Sequence, residues 1–208
     1  MIKTIKLNIC DVNIDLHDGP IGISHSGGAD SGVLLYILLK YHQGPIHVYT
    51  CASKEKQRVA PHIALNVLSK CIDLTHNSNL MHHVFYVEKQ TINTLFDPLK
   101  AVIKSGAVNY IYTGGTSLPP DDVLKTFNTN SNLYDKRNPN IEKPVYYGKI
   151  YAPFININKK KIKEIYQELE VLDVLFPITR SCEDLNLTSG HCGKCWWCEE
   201  RQWAFEEL

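Results

Sequence analysis

The sequence predicts an α/β protein: a parallel β-sheet with helices on both faces, followed by a small C-terminal module. Three observations lead there. Short β-like runs alternate with longer stretches of helical periodicity. Two glycine pairs, Gly27-Gly28 and Gly114-Gly115, stand at the ends of predicted strands, where sheets of this kind bind ligands. Four of the seven cysteines, Cys182, Cys192, Cys195 and Cys198, fall within the last 27 residues.

Taken in order, residues 2–9 read as a strand and 11–16 as its hairpin partner. Residues 20–25 form a strand and 31–42 a helix, with a seven-residue apolar run from Val33 to Leu39. His47 to Cys51 is a strand, rich in β-branched and aromatic residues. Residues 56–71 carry Val59, Ile63, Val67, Leu68 and Cys71 at helical spacing, with Pro61 tolerated only near the start. His83 to Val87 is a strand, 92–105 a helix with Leu95, Leu99, Val102 and Ile103 on one face, and Asn109 to Tyr112 a strand. Residues 159–170 and 196–207 are helices. Between them, 116–147 is rich in Asn, Pro, Asp, Lys and Tyr without clear period, the pattern of a lid or a long loop. The Lys159-Lys160-Lys161 run reads as a solvated helix start.

Composition narrows the function classes. The chain has 208 residues, 44% hydrophobic and 21% charged, enough for one domain with a small appendage. Lys plus Arg and Asp plus Glu both number 22, so no bulk charge points to nucleic acid or to an anionic membrane. No apolar run approaches the ~18 residues of a membrane span, and no signal-peptide pattern opens the chain. The expected location is the cytoplasm. Cys10, Cys51 and Cys71 are scattered in apolar surroundings and read as reduced, buried thiols.

The first chemical motif is Ser26-Gly27-Gly28-Ala29-Asp30-Ser31, set between a strand and a helix. Such residues do not build a core. Glycines let a phosphate approach the backbone, hydroxyls add donors, and a helix N-terminus favours negative charge. The motif is neither GxxxxGK[ST] nor GxGxxG. The plainer alternative is an N-capped turn with Asp30 or Ser31 as the cap. The second motif spaces Cys182 by nine residues from Cys192, which is followed by two steps of CxxC type to Cys195 and Cys198. Four thiolates favour a closed, tetrahedral, structural Zn²⁺ site. Trp196 and Trp197 read as packing for that module rather than as a base-stacking surface.

The six-residue motif resembles the signature of the PP-loop ATP pyrophosphatases, which implies a Rossmann-like, adenine nucleotide alpha hydrolase-like sheet. The implied nucleotide contacts are Ser24, Ser26, Gly27, Gly28, Ala29, Asp30, Ser31, Gly114 and Gly115, with Asp30 near Mg²⁺ and the phosphates. Thr179-Arg180-Ser181-Cys182, His191 to Cys195, Cys198, Arg201, Ala204 and Phe205 resemble the C-terminus of the 7-cyano-7-deazaguanine synthase family. The stretch IYAPFININKKKIKEIYQEL looks like that family's segment before its zinc motif, with Lys159 at the place of its usual lysine. The resemblance implies Ser26, Asp30, Ser31 and Lys159 as catalytic residues, and the four cysteines as zinc ligands. It implies ATP, ammonia and a deazaguanine carboxylic acid as reactants, and a homodimer is compatible with it. It divides the chain into a PP-loop domain, 1–178, and a zinc module, 179–208. The family's GxN-type turn and Asp-bearing stretch are replaced here by Gly114 to Asp122, which leaves Asp121 or Asp122 to read the guanine edge. Two other readings stand beside this one. One is a related enzyme adenylating a different acceptor, such as a tRNA base or a protein terminus. The other is a zinc-knuckle binding module on an inactive nucleotide fold.

Overall fold

The computed structural model describes residues 3–8, 12–53, 60–88, 92–127, 145–182, 184, 187 and 190–208. An antiparallel hairpin, β1 (Lys3–Leu7) with β2 (Val12–Leu16), leads into β3 (Ile21–Ser24) and α1 (Ala29–Tyr41). Then follow β4 (Ile46–Ser53), α2 (Ala60–Thr75), β5 (Leu80–Val87), α3 (Ile92–Ser105) and β6 (Tyr110–Thr113). The last part holds α4 (Asp121–Leu124), β7 (Val145–Tyr147), β8 (Ile150–Ala152), α5 (Lys159–Glu168), α6 (Leu172–Leu175), a 3₁₀ turn at Phe176–Ile178 and α7 (Trp196–Phe205).

The main sheet has the order β5-β4-β3-β6-β8-β7. The first five strands run parallel, and β7 closes the edge antiparallel to β8. From β3 the chain steps outward to β4 and β5, then returns on the other side of β3 as β6. The strand order therefore reverses between β3 and β6, the switch point at which the turns beyond the two strands part and leave a crevice. Ser24 pairs with Thr113 across this seam, so the two strands end level.

One face of the sheet is covered by α1, with α2 and α5 packed beside it. Every residue of α1 from Ser31 to Leu39 is buried, as expected of a helix apolar nearly all round. The opposite face is covered by α3, where Leu99 packs with Tyr49, Val108 and Ile111. The hairpin adds Leu7, Val12, Ile14 and Leu16 to the larger core. Two sheet tyrosines hold it by its main chain: the Tyr112 hydroxyl donates to Asp15 O at 2.6 Å and that of Tyr151 to Asn13 O at 3.3 Å. At the far end Phe205 stacks on Phe176 with centroids 3.9 Å apart, so α7 is built into the same core.

The predicted α/β class holds, and the differences from expectation are local. Helix α2 is described from Ala60, with the predicted residues 56–59 outside the described residues, and Pro61 stands near its start, where a proline is tolerated. Strands β7 and β8 were not anticipated. Each has three residues, too short for a period to register, and β8 is defined by its parallel partner β6 rather than by its own pattern. The 116–147 stretch contains α4 and part of this edge, while its residues 128–144 lie outside the described residues, as does Cys10. Among the described residues no helix is long and apolar enough to cross a membrane.

Candidate active site and metal centre

The Ser26–Ser31 loop leaves the C-terminal end of β3 at the switch point. Its shape is set by what glycine permits. Gly27 has φ +82°, and a side chain there would also strike the first turns of α2 at Ile63 and Ala64. The loop is pressed as closely against β6: a Cβ on Gly114 would stand 2.7 Å from Ser31 N. Gly114 thus serves by being bare, so that the start of α1 can lie across the end of the neighbouring strand. Gly115 lacks such contacts, its nearest neighbour being Ile155 at 3.7 Å.

Helix α1 begins at Ala29 with Gly28 as its N-cap, and no side chain caps it. The N-capped turn with Asp30 or Ser31 as the cap is therefore not what forms. Ser31 Oγ braces the loop from inside instead, accepting from Ser26 N and donating to Gly28 O, each at 3.3 Å. Ser26 Oγ accepts from Gly28 N at 3.3 Å while its residue stays exposed. The result is a helix N-terminus with the polarity that attracts anions. Ser24 ends β3 half-buried, level with Tyr49 and Thr113.

Lys159 corrects the solvated-start reading of its run. It is only 4% exposed, and its Nζ lies 3.3 Å from Asp30 Oδ2 and 3.2 Å from Glu200 Oε2. Lys160 alone of the three is exposed. The helix start is capped by Asn158, whose side chain accepts from Lys160 N and Lys161 N. The ammonium therefore ties three elements together: Asp30 in the first turn of α1, its own place at the start of α5, and Glu200 on α7. Tyr166, also on α5, donates its hydroxyl to Ala29 O at 2.8 Å and pins the same turn from below.

Glu200 was not singled out by the sequence, and Arg201 only as one of the residues that carry the family resemblance. Their phase held the signal. Glu200 lies four residues after Trp196 and four before Ala204, and all three are buried on α7. Arg201 lies four before Phe205. Its Nη1 donates to Thr179 Oγ1 at 2.9 Å and Nη2 to Phe176 O at 3.2 Å, with the guanidinium 3.8 Å over the Phe176 ring. Burial pushes its pKa down to about 10, against the raising effect of Tyr166, Asp30 and Cys198.

The four predicted zinc ligands come together. The Sγ atoms of Cys182, Cys192, Cys195 and Cys198 all lie within 4.8 Å of one another, with Cys192 and Cys198 at 3.9 Å. A tetrahedral ZnS₄ site, with Zn–S near 2.3 Å, needs sulfur separations of about 3.8 Å, so the set fits the metal. Cys182 Sγ also accepts from Asp184 N and Cys192 N at 3.4 Å. Trp196 is buried and meets Phe127 edge-on at 5.7 Å, a packing role.

Asp121 and Asp122 are both exposed, in the first turn of the one-turn helix α4 behind Pro120. Of the three remaining thiols, Cys71 is fully buried and burial pushes its pKa upward, while Cys51 is half-buried and raised to about 11. Neither is poised to react. His25, beside the loop, is fully buried; Nε2–H donates to Ala64 O at 3.1 Å and desolvation lowers its pKa to about 4.

A doubly wound parallel sheet, with a glycine loop at the switch point and a four-cysteine cluster beside it, defines the class: an α/β protein consistent with the PP-loop superfamily that Ser26–Ser31 suggests. More narrowly, residues 120–208 match the family model described as Queuosine biosynthesis protein QueC. The matched part, just under half of the chain, includes Lys159, Glu200 and all four cysteines, and the Ser26–Ser31 loop lies outside it. Among curated proteins none matches the chain.

Proposed function

We propose that the protein converts 7-carboxy-7-deazaguanine and ammonia to 7-cyano-7-deazaguanine at the expense of ATP. The observation that carries this reading is the Asp30–Lys159–Glu200 chain, which joins the loop to the part of the chain matching the queuosine biosynthesis family. On this reading the acid's carboxylate oxygen attacks the α-phosphorus and pyrophosphate leaves. Ammonia then attacks the carbonyl carbon and AMP departs, giving the amide. The amide oxygen attacks the α-phosphorus of a second ATP and pyrophosphate leaves; loss of AMP and the two amide protons then gives the nitrile. Adenylation matters because an oxide is a very poor leaving group near neutral pH, whereas AMP is a good one.

The N–H groups at the open start of α1 and the bare Gly27-Gly28 turn receive the phosphate chain, whose growing charge they stabilise when pyrophosphate leaves. Asp30, partly exposed, is the carboxylate suited to Mg²⁺, which would screen the phosphate oxygens. Lys159 orients Asp30 and adds positive charge behind it. The four cysteines would hold Zn²⁺ in a closed site, where it would supply folding free energy rather than chemistry. Residues 1–178 would form the ATP domain and 179–208 the zinc module. Incubation with ATP, ammonium and the acid, followed by mass spectrometry, tests the proposal. The nitrile, AMP and pyrophosphate are expected; ADP with orthophosphate refutes it.

The exposure of Asp121 and Asp122 favours one alternative, a related enzyme that adenylates another acceptor. In that case AMP and pyrophosphate form only when a different acceptor is added.

A further inference from the structure

The main chain of a second buried cation, Arg180, sits against the loop. The main-chain N–H of Arg180 donates to Gly27 O at 2.9 Å, and Arg180 O lies 3.7 Å from where a Gly28 side chain would begin. The residue is 8% exposed. Its Nη2 donates to the main-chain oxygen of Asp184 at 3.2 Å, while Nε and Nη1 are buried with no partner among the described residues. Of the other buried cations of this region, Lys159 meets two carboxylates, and Arg201 has Thr179 Oγ1 and Phe176 O, with only its Nε lacking a partner among the described residues. A buried guanidinium with idle donors is costly, and a fork of this shape matches a phosphate or carboxylate oxyanion.

We propose that Arg180 is a ligand of the phosphate chain held at the Gly27-Gly28 loop, its idle Nε and Nη1 donors taking phosphate oxygens. The inference rests on the ATP reading above and deepens it. The open N-terminus of α1 offers backbone dipoles without a full positive charge. Arg180 supplies that charge, and its main chain, hydrogen-bonded to Gly27, holds it in register with the loop. One consequence is that the loop and the cysteine module make a single phosphate site, since Arg180 stands two residues before the ligand Cys182.

Calorimetry on the zinc-loaded protein tests this, with three probes: magnesium pyrophosphate, adenosine and 7-carboxy-7-deazaguanine. Arg180→Gln should weaken pyrophosphate tenfold or more and leave adenosine and the acid unchanged. Arg180→Lys should restore part of the loss. Zinc content should stay the same in both variants. The ligand-free melting temperature of Arg180→Gln should hold or rise, because an unpaired buried charge is gone. Unchanged pyrophosphate affinity overturns the proposal. So does weakening of all three probes together with a lower melting temperature, which marks a structural role, and so does weakening of the acid alone, which assigns the guanidinium to the acceptor. If the wild type binds neither pyrophosphate nor adenosine, the ATP reading falls and Arg180 loses its ligand with it.

Discussion

The Ser26–Ser31 loop and the Cys182–Cys198 module are built on opposite principles. The loop is made by absence. Gly27 and Gly114 lack side chains so that three elements can meet at van der Waals distance, and its polar groups are largely main-chain. The module is made by presence: four sulfurs within 4.8 Å of one another. Sheet topology holds the loop, whereas a metal would hold the module. Where they meet, along Asp30–Lys159–Glu200, a main-chain cradle gains charged side chains from α5 and α7.

The largest expected effect comes from breaking the module. Chelation of the metal, or Cys195→Ser, should unfold the C-terminal part, since a structural zinc contributes on the order of 10 kcal/mol. Loss of zinc by metal analysis, with newly titratable thiols and a second melting transition at lower temperature, is the expected record. If the comparison is right, adenylation is lost as well, because Glu200 and Arg201 leave with the module. Retained activity in the metal-free protein would show that the loop stands alone.

Next come the two carboxylates on Lys159, which should separate chemistry from stability. Asp30→Asn should lower AMP and pyrophosphate formation by about 100-fold or more and barely move the melting temperature, because Lys159 keeps Glu200. Glu200→Gln should cost roughly 3 kcal/mol of stability as the fully buried side of a buried pair is broken. Denaturant titration beside initial rates distinguishes them. Equal effects of the two changes on both readouts would abolish the division of labour.

A smaller effect concerns pH. His25 is neutral in the fold with a pKa of about 4, against an ordinary value of 6.5, because burial disfavours its charge. Between these values the unfolded chain binds the proton and the folded one does not. Its contribution is therefore complete above pH 6.5 and lost as pH falls toward 4, up to about 3 kcal/mol. His17, His42, His47 and His82 are lowered in the same direction, also by burial first. His25→Gln, which keeps an N–H for Ala64 O, should flatten part of this acid limb in denaturant titrations run from pH 7 to 4. An unchanged limb would show that His25 does not report on the loop.

The smallest effect on the fold is expected at α4. Alanine at both Asp121 and Asp122 should change stability by no more than about 0.5 kcal/mol, since both are exposed. If they read the guanine edge, KM for 7-carboxy-7-deazaguanine should rise far more than KM for ATP, because a site built on such bonds discriminates strongly. Unaltered kinetics would place recognition of the ring elsewhere.

Much of this was legible in the chain. Period-two and helical runs are local and strong, so β3, α1, β4, α3 and α7 lie close to their expected places. The cysteine spacing carried its own geometry, because a tetrahedral thiolate site demands short loops. The glycine loop was visible because few folds place six such residues between a strand and a helix. Tertiary structure alone decided that Gly114 is bare for packing against Ser31, that Lys159 is buried while Lys160 is not, that Glu200 pairs with Lys159, and that the main chain of Arg180 meets the loop. The physical reason is common to all of these. A local pattern reports a residue's own helix or strand, but burial, charge pairing and close approach depend on which distant element arrives beside it, and strand order and helix docking settle that only after the chain has folded.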